Sequence, residues 1–224
     1  MTSRRDYIEE IVLKHSRLSK RRGIHKLCHD RIEMVVAGYR FLREAELPDS
    51  VRLELMKYAP IGYVACLEGY LRLCLKQVID SGDPYVDRVS EIEALRFDCR
   101  TVLAMTKDKI SLGQYVSHVV PLNNVRDISG VFSVILGEDF LTAVKSIDYV
   151  INEDGTRLAL HAPMFDAEDY PALEELFSLR HIFAHELAPR EKVKPNVIRG
   201  CISAAASFVF ACETLFRTKI PNMS

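Results

Sequence analysis

The stretch that decides the fold is "LEELFSLRHIFAHELAP", Leu173 to Pro189. At about 100° per residue its apolar side chains fill one broad arc of a helix. They are Leu173, Leu176, Phe177, Leu179, Phe183, Ala184 and Leu187. Arg180 falls near the middle of this arc, whereas His181 and His185 lie on its flank with Glu174 and Ser178. A guanidinium keeps its proton, and burying it without a partner is costly. The spacing therefore predicts a packed helix and an anion that meets Arg180.

One carboxylate that suits Arg180 is on a second predicted helix, "PIGYVACLEGYLRLCLKQVI", residues 60–79. Glu68 lies at the edge of the apolar stripe of this helix, and Gly69 beside it would let another helix approach closely. Glu68 is also four residues before Arg72, a spacing that allows a surface salt bridge within the helix. The sequence therefore leaves two partners open for Glu68, either Arg180 across the core or Arg72 at the surface.

The two histidines His181 and His185 also stand four residues apart, a spacing that suits zinc. No third ligand follows at a recognisable spacing, because "HIFAH" lacks a glutamate directly after the first histidine. We therefore expect no metal site and no cofactor. The pattern alone favours a simpler interpretation, in which a buried arginine pairs with a carboxylate and the two histidines have no special role.

The rest of the chain predicts an all-α protein, a bundle of several antiparallel helices around one core with an N-terminal helical extension and a small β-hairpin; the family resemblance described below implies that the bundle has four helices. The predicted helices are 5–20, 24–46, 50–79 with a fresh start at Pro60, 85–107, an Asn-capped helix ending at Gly137, a short one after it, 171–188 and 195–219. The pattern at 110–121 is ambiguous, and the hairpin is expected at 147–162. The closing helix is apolar nearly all round and should be the most buried. The domains are the extension, 1–50, and the bundle, 51–224.

Composition sets broad limits on function. The 224 residues carry a formal net charge of −1, so no strongly basic surface argues for nucleic acid, although a local basic site is still allowed. The N-terminus is too charged for a secretory signal, and "ISAAASFVFACETLF" is too interrupted to predict a membrane span. Six cysteines without a CxxC pair suggest buried thiols in a reducing cytosol. We expect a cytoplasmic protein with no membrane partner.

Several segments of the sequence together resemble a known protein family. "LFSLRHIFAHE" resembles the signature of HEPN domains, an arginine followed within a few residues by a histidine on a late helix of a four-helix bundle; Arg180 and His185 match it. "ACLEGYLRLCLKQVI" resembles the first bundle helix of that family, where an acidic residue commonly faces the motif. "NNVRDISGVFSVILGEDF" and the closing helix are similar to the ribonuclease-type branch found in bacterial defence and toxin systems. The resemblance covers about residues 51–219.

The resemblance implies a metal-independent endoribonuclease that cuts RNA through its own 2′-OH. His185 would serve as acid or base, and Arg180 would hold the phosphate. His181 would assist or hold the cleft, while Glu68 would orient Arg180 or tune His185. Family members usually form homodimers in which two motifs share one cleft. The implied partners are an RNA substrate, a second copy of the chain, and an antitoxin or defence-system protein.

Two other classes stay open. One is a catalytically silent HEPN-like module that binds RNA, a nucleotide or a partner protein through the same anion site. The other is a structural or regulatory helical dimer in which Arg180 is merely ion-paired. Burial of Arg180 against Glu68, with His185 away from any cleft, would favour that last class.

Overall fold

The computed structural model describes residues 10–11, 24–93, 95–149, 162–185 and 194–220. These residues are mostly helical, as the sequence predicts. The helices are α1 (Ile24–Glu44), α2 (Asp49–Met56), α3 (Tyr58–Asp80), α4 (Tyr85–Arg88), α5 (Cys99–Asp108), α6 (Leu112–Val119), α7 (Val125–Leu136), α8 (Phe140–Lys145), α9 (Asp169–His185) and α10 (Pro195–Lys219). A 3₁₀ helix, Val89–Glu91, follows α4 directly.

Helix α3 lies at the centre of the core and packs against α1, α6, α9 and α10. Helix α9 packs along both α3 and α10, so the predicted contact among these three helices is confirmed. Asp169 lies near Ser207, whereas Glu175 lies within electrostatic range of Cys201. Later residues of α9 therefore face earlier residues of α10, so the two helices are antiparallel.

Helix α1 packs along α3 in the same antiparallel sense. Arg31 lies near Cys66, whereas Val35 faces the earlier residue Gly62. The Tyr39 hydroxyl donates to the Pro195 carbonyl oxygen at 2.6 Å and ties α1 to the start of α10. The predicted helix 5–20 lies outside the described residues, apart from two helical positions at 10–11. The predicted division at residue 50 stays a prediction.

The predicted helix at 85–107 is wrong. The chain leaves the helix after Glu91, is extended at Asp98, and begins α5 at Cys99. The Asp98 side chain accepts from the Thr101 N–H at 2.8 Å, and this N-cap requires a non-helical backbone at Asp98. The ambiguous region after it contains α6, whose Ser111 and Gln114 form a capping box.

The predicted hairpin corresponds to two short antiparallel strands, β1 (Asp148–Tyr149) and β2 (Ala162–Pro163). The turn expected between them, 150–161, lies outside the described residues. The closing helix is not the most buried one: α3 buries twelve of its residues, whereas the longer α10 buries ten. By length and composition alone α10 could cross a membrane, a test that core helices of soluble proteins also pass.

The predicted buried thiols are confirmed for Cys66, Cys74, Cys201 and Cys212, while Cys28 is half-buried and Cys99 is exposed. All six are free thiols in the structure. Burial raises the pKa of Cys28 to about 12 and that of Cys201 to about 11. These two thiols therefore stay protonated at neutral pH and behave as small apolar groups.

The end of α7 gives a prediction about stability. The sequence places the Asn cap and Gly137 correctly: Asn124 accepts from Asp127 N–H, and Gly137 has a φ of +72°. A Cβ there would meet the Arg88 guanidinium at 2.4 Å, and that guanidinium donates to the carbonyls of Ile135 and Leu136. We expect Gly137→Ala to lower the free energy of unfolding by about 1–2 kcal/mol.

Gly130 is the matched control for Gly137. It lies exposed inside the same helix, and nothing lies within 4 Å of an added Cβ. Gly130→Ala should raise the free energy of unfolding by about 0.5–1 kcal/mol, since alanine is the better helix former. Urea titrations followed by circular dichroism measure both. Equal shifts for the two variants would contradict the role assigned to Gly137.

Candidate functional site

Arg180 meets Glu68 across the interface between α9 and α3. Its Nη2 donates to Glu68 Oε1 at 3.0 Å, and the two side chains are 24% and 17% exposed. The predicted proximity of these residues is therefore confirmed. The positive charge of Arg180 is therefore paired with a carboxylate of the same chain, and about a quarter of the arginine side chain is still exposed to solvent. Gly69 does not explain the approach, because it is exposed with nothing within 4 Å of an added Cβ.

Arg72 does not form the surface salt bridge that its spacing from Glu68 allows. Its Nη1 donates to the carbonyl oxygens of Ser117, His118 and Val120 at the C-terminal end of α6. These are carbonyls that a helix end leaves without intrahelical partners. Burial lowers the pKa of Arg72, whereas the nearby charge of Glu68 raises it. Glu68 therefore lies in the field of two arginines, one in contact and one nearby.

His181 and His185 lie on the outer flank of α9, and both are exposed. Their ring centroids are 5.2 Å apart and the ring planes are inclined at 51°. Helical geometry brings side chains four residues apart onto one face. Arg180 reaches back toward α3 while the two imidazoles face solvent. The site thus combines a fixed, partly exposed cation with two accessible imidazoles, the side chains that most often serve as acid or base in catalysis.

Lys57 contributes a charge that the sequence patterns do not predict. It lies in the break between α2 and α3, which the sequence placed three residues later, at Pro60. Its Nζ is 5.8 Å from the centroid of the Phe183 ring and 2.8 Å from Glu54 Oε2. A cation over a ring face is weakly attractive and helps to hold the end of α9. No local pattern marks Lys57, because its partner ring is far away in the sequence.

An apolar cavity of about 310 Å³ lies elsewhere, between α5 and the start of α6. Its lining residues are Phe97, Val102, Met105, Thr106, Ile110 and Leu112. None of the predicted site residues lines it. Arg180 paired with Glu68, and His185 outside this cavity, is the arrangement expected of a structural or regulatory helical dimer in which Arg180 is merely ion-paired, so that class stays open. Within the described part of the chain, no group of three or more His, Cys, Asp or Glu residues could hold a metal ion.

Comparison of the chain with protein-family models, curated proteins and solved structures gave no match. The resemblance to HEPN domains therefore stays a prediction based on this chain's own residues. Chemically, the arrangement can bind an anion at Arg180 and move protons at the two histidines.

Proposed function

We propose that the protein is a metal-independent endoribonuclease of the HEPN type. The observation that carries the proposal is the geometry of α9: Arg180, fixed by Glu68 at 3.0 Å, stands beside two exposed histidines on the same helix. The packing of α9 on α3 and α10 suits the bundle core that the resemblance implies. A phosphate is the anion that a multidentate, permanently charged guanidinium binds best.

The proposed reaction needs no group beyond these side chains and the substrate. A base removes the proton from the ribose 2′-OH, and the 2′ oxygen forms a bond to phosphorus. The bond from phosphorus to the 5′ oxygen breaks, and an acid supplies the proton that this oxygen needs. His185 performs one of the two proton transfers, and Arg180 stabilises the charge that builds up on the phosphoryl oxygens. The products are a 2′,3′-cyclic phosphate and a 5′-OH.

A second proton-transfer group comes from His181 or from a second chain. The proposal includes a homodimer with two copies of α9 near its two-fold axis, so that both motifs face one phosphate. Ala184 is exposed between His181 and His185, and so small a residue would let two helices approach closely. Biologically, the resemblance favours a toxin or an anti-phage effector held in check by an antitoxin or another defence protein.

A binding module is the second candidate, and one observation favours it. Glu68 already takes up the charge of Arg180, so an incoming phosphate would have to share or displace this carboxylate. A module of this kind would bind RNA, a nucleotide or a partner protein at Arg180 without cutting. Measuring turnover separates the two candidates.

The test is incubation of the purified protein with a labelled RNA in excess EDTA. We expect cutting that continues in EDTA, and fragments that carry 2′,3′-cyclic phosphate, because the 2′-OH is the nucleophile. The matched control is the same oligonucleotide with a 2′-deoxy sugar at the scissile position, which should stay intact. Loss of cutting in EDTA with recovery on adding Mg²⁺ would contradict the mechanism, and binding without any cutting would support the second candidate.

A further inference from the structure

The two exposed histidines of α9 have a spacing that fits a shared metal ion. A transition metal bonded about 2.1 Å from one nitrogen of each ring, at a roughly tetrahedral angle, places the two ring centroids about 5 Å apart. The centroids of His181 and His185 are 5.2 Å apart. Both side chains are exposed, so each ring can turn its nitrogen toward a common point without disturbing the core.

The charges around the pair also permit a cation. Arg180 directly precedes His181 in the sequence, yet its guanidinium is turned inward and paired with Glu68 at 3.0 Å. Lys57 Nζ lies over the Phe183 ring and is 2.8 Å from Glu54. Both neighbouring positive charges are therefore opposed by carboxylates.

We propose that His181 and His185 form a two-imidazole site for Zn²⁺ and similar borderline transition metals, with water completing the coordination. The expectation of no metal site rested on the missing third protein ligand, which a structural zinc site needs; here the helix supplies two ligands and water supplies the others. The bound ion is expected to be exchangeable, and chelators should remove it.

The site would act as an inhibitory switch, and this part rests on the proposed ribonuclease function. A nitrogen of His185 that is bonded to a metal can neither accept nor donate a proton. The enzyme that works in EDTA would therefore be inhibited by micromolar Zn²⁺. Metal preference should follow imidazole chemistry, with Cu²⁺ binding more tightly than Zn²⁺ and Mg²⁺ not competing.

The experiment is calorimetric titration of ZnCl₂ into the full chain, stripped of metal beforehand and without RNA. Wild type should show one saturable site per chain. His181→Ala and His185→Ala should each weaken this binding roughly tenfold or more, because two linked ligands bind far better than one. Circular dichroism checks that each variant is folded, and His181→Gln repeats the test with a larger side chain.

Two matched controls come from the same chain. His29 is exposed on α1 and 3.1 Å from Glu33, so His29→Ala removes an ordinary surface histidine. Cys99→Ser removes the exposed thiol. Both should bind Zn²⁺ as wild type does. Equal binding by wild type and His181→Ala, or no saturable binding at all, would overturn the proposal.

An inhibition assay then tests the switch separately. Each protein's rate of RNA cutting in Zn²⁺ is divided by its own rate in EDTA. The ratio should be low for wild type and close to one for His181→Ala. If the protein does not cut RNA, the calorimetric result still stands, so failure of the metal site and failure of the proposed function are distinguished.

Discussion

His185→Ala should reduce RNA cleavage by about 100-fold or more while leaving the protein folded. A positioned acid or base commonly contributes a factor of this size, and His185 is the motif residue assigned to proton transfer. Its side chain is exposed in the last turn of α9, so its removal leaves no cavity and no buried group without a partner. The measurement is the single-turnover rate in EDTA, with thermal unfolding recorded on the same samples.

The matched control for this substitution is His29→Ala, which removes another exposed histidine, from α1. It should cut RNA at the wild-type rate. His181→Ala should give an intermediate rate if His181 assists and a rate near that of His185→Ala if it supplies the second proton transfer. Undiminished cutting by His185→Ala would show that the motif is not the catalytic centre.

The pairing of Arg180 with Glu68 could be predicted from the sequence because two helical periods constrain it. The helical spacing of apolar residues in α9 places Arg180 inside an apolar arc. The same spacing in α3 places Glu68 at the edge of an apolar stripe. A buried cation needs an anion, so the two helical patterns together make Glu68 the candidate partner of Arg180, although they leave Arg72 open as a second partner for Glu68. The same reasoning worked for the cap at Asn124 and for the left-handed Gly137, since caps are local signals.

The surroundings of the pair could not be predicted in the same way. Arg72 lies four residues from Glu68, yet it is held by carbonyls about 45 residues further along the chain. Local spacing cannot show that α6 ends beside α3. The Lys57 contact with Phe183 is non-local for the same reason. The break before α5, in contrast, could have been predicted from a local signal. Asp98 stands three residues before Thr101, the spacing of an N-cap, but the helical periodicity of 85–107 favoured one continuous helix.

Glu68→Ala should destabilise the protein more than Arg180→Ala, although the two residues form one ion pair. Removing Arg180 leaves Glu68 still in the field of Arg72, so we expect a loss of about 1 kcal/mol in the free energy of unfolding. Removing Glu68 takes the opposing charge from both arginines, and Arg72 is too firmly held by α6 to turn toward solvent. We expect a loss of about 2 kcal/mol or more. Urea titrations of the single variants and the double variant give the coupling energy. Equal losses would contradict the influence assigned to Arg72.

Glu68→Gln separates two roles that Glu68 could have, positioning Arg180 or competing with an incoming phosphate, because it keeps the shape of the side chain and removes its charge. If Glu68 positions Arg180 for catalysis, the variant should cut RNA more slowly, with a smaller loss than Arg180→Ala, which should lower cutting about 100-fold or more. If Glu68 instead competes with an incoming phosphate, the variant should bind RNA more tightly than wild type while Arg180→Ala binds less tightly. Binding is measured by fluorescence anisotropy on a 2′-deoxy-substituted oligonucleotide that cannot be cut, and cutting on the matching all-ribose RNA. Faster cutting together with tighter binding in Glu68→Gln would rule out a positioning role, because a carboxylate that positions the arginine cannot also be the group whose removal improves turnover.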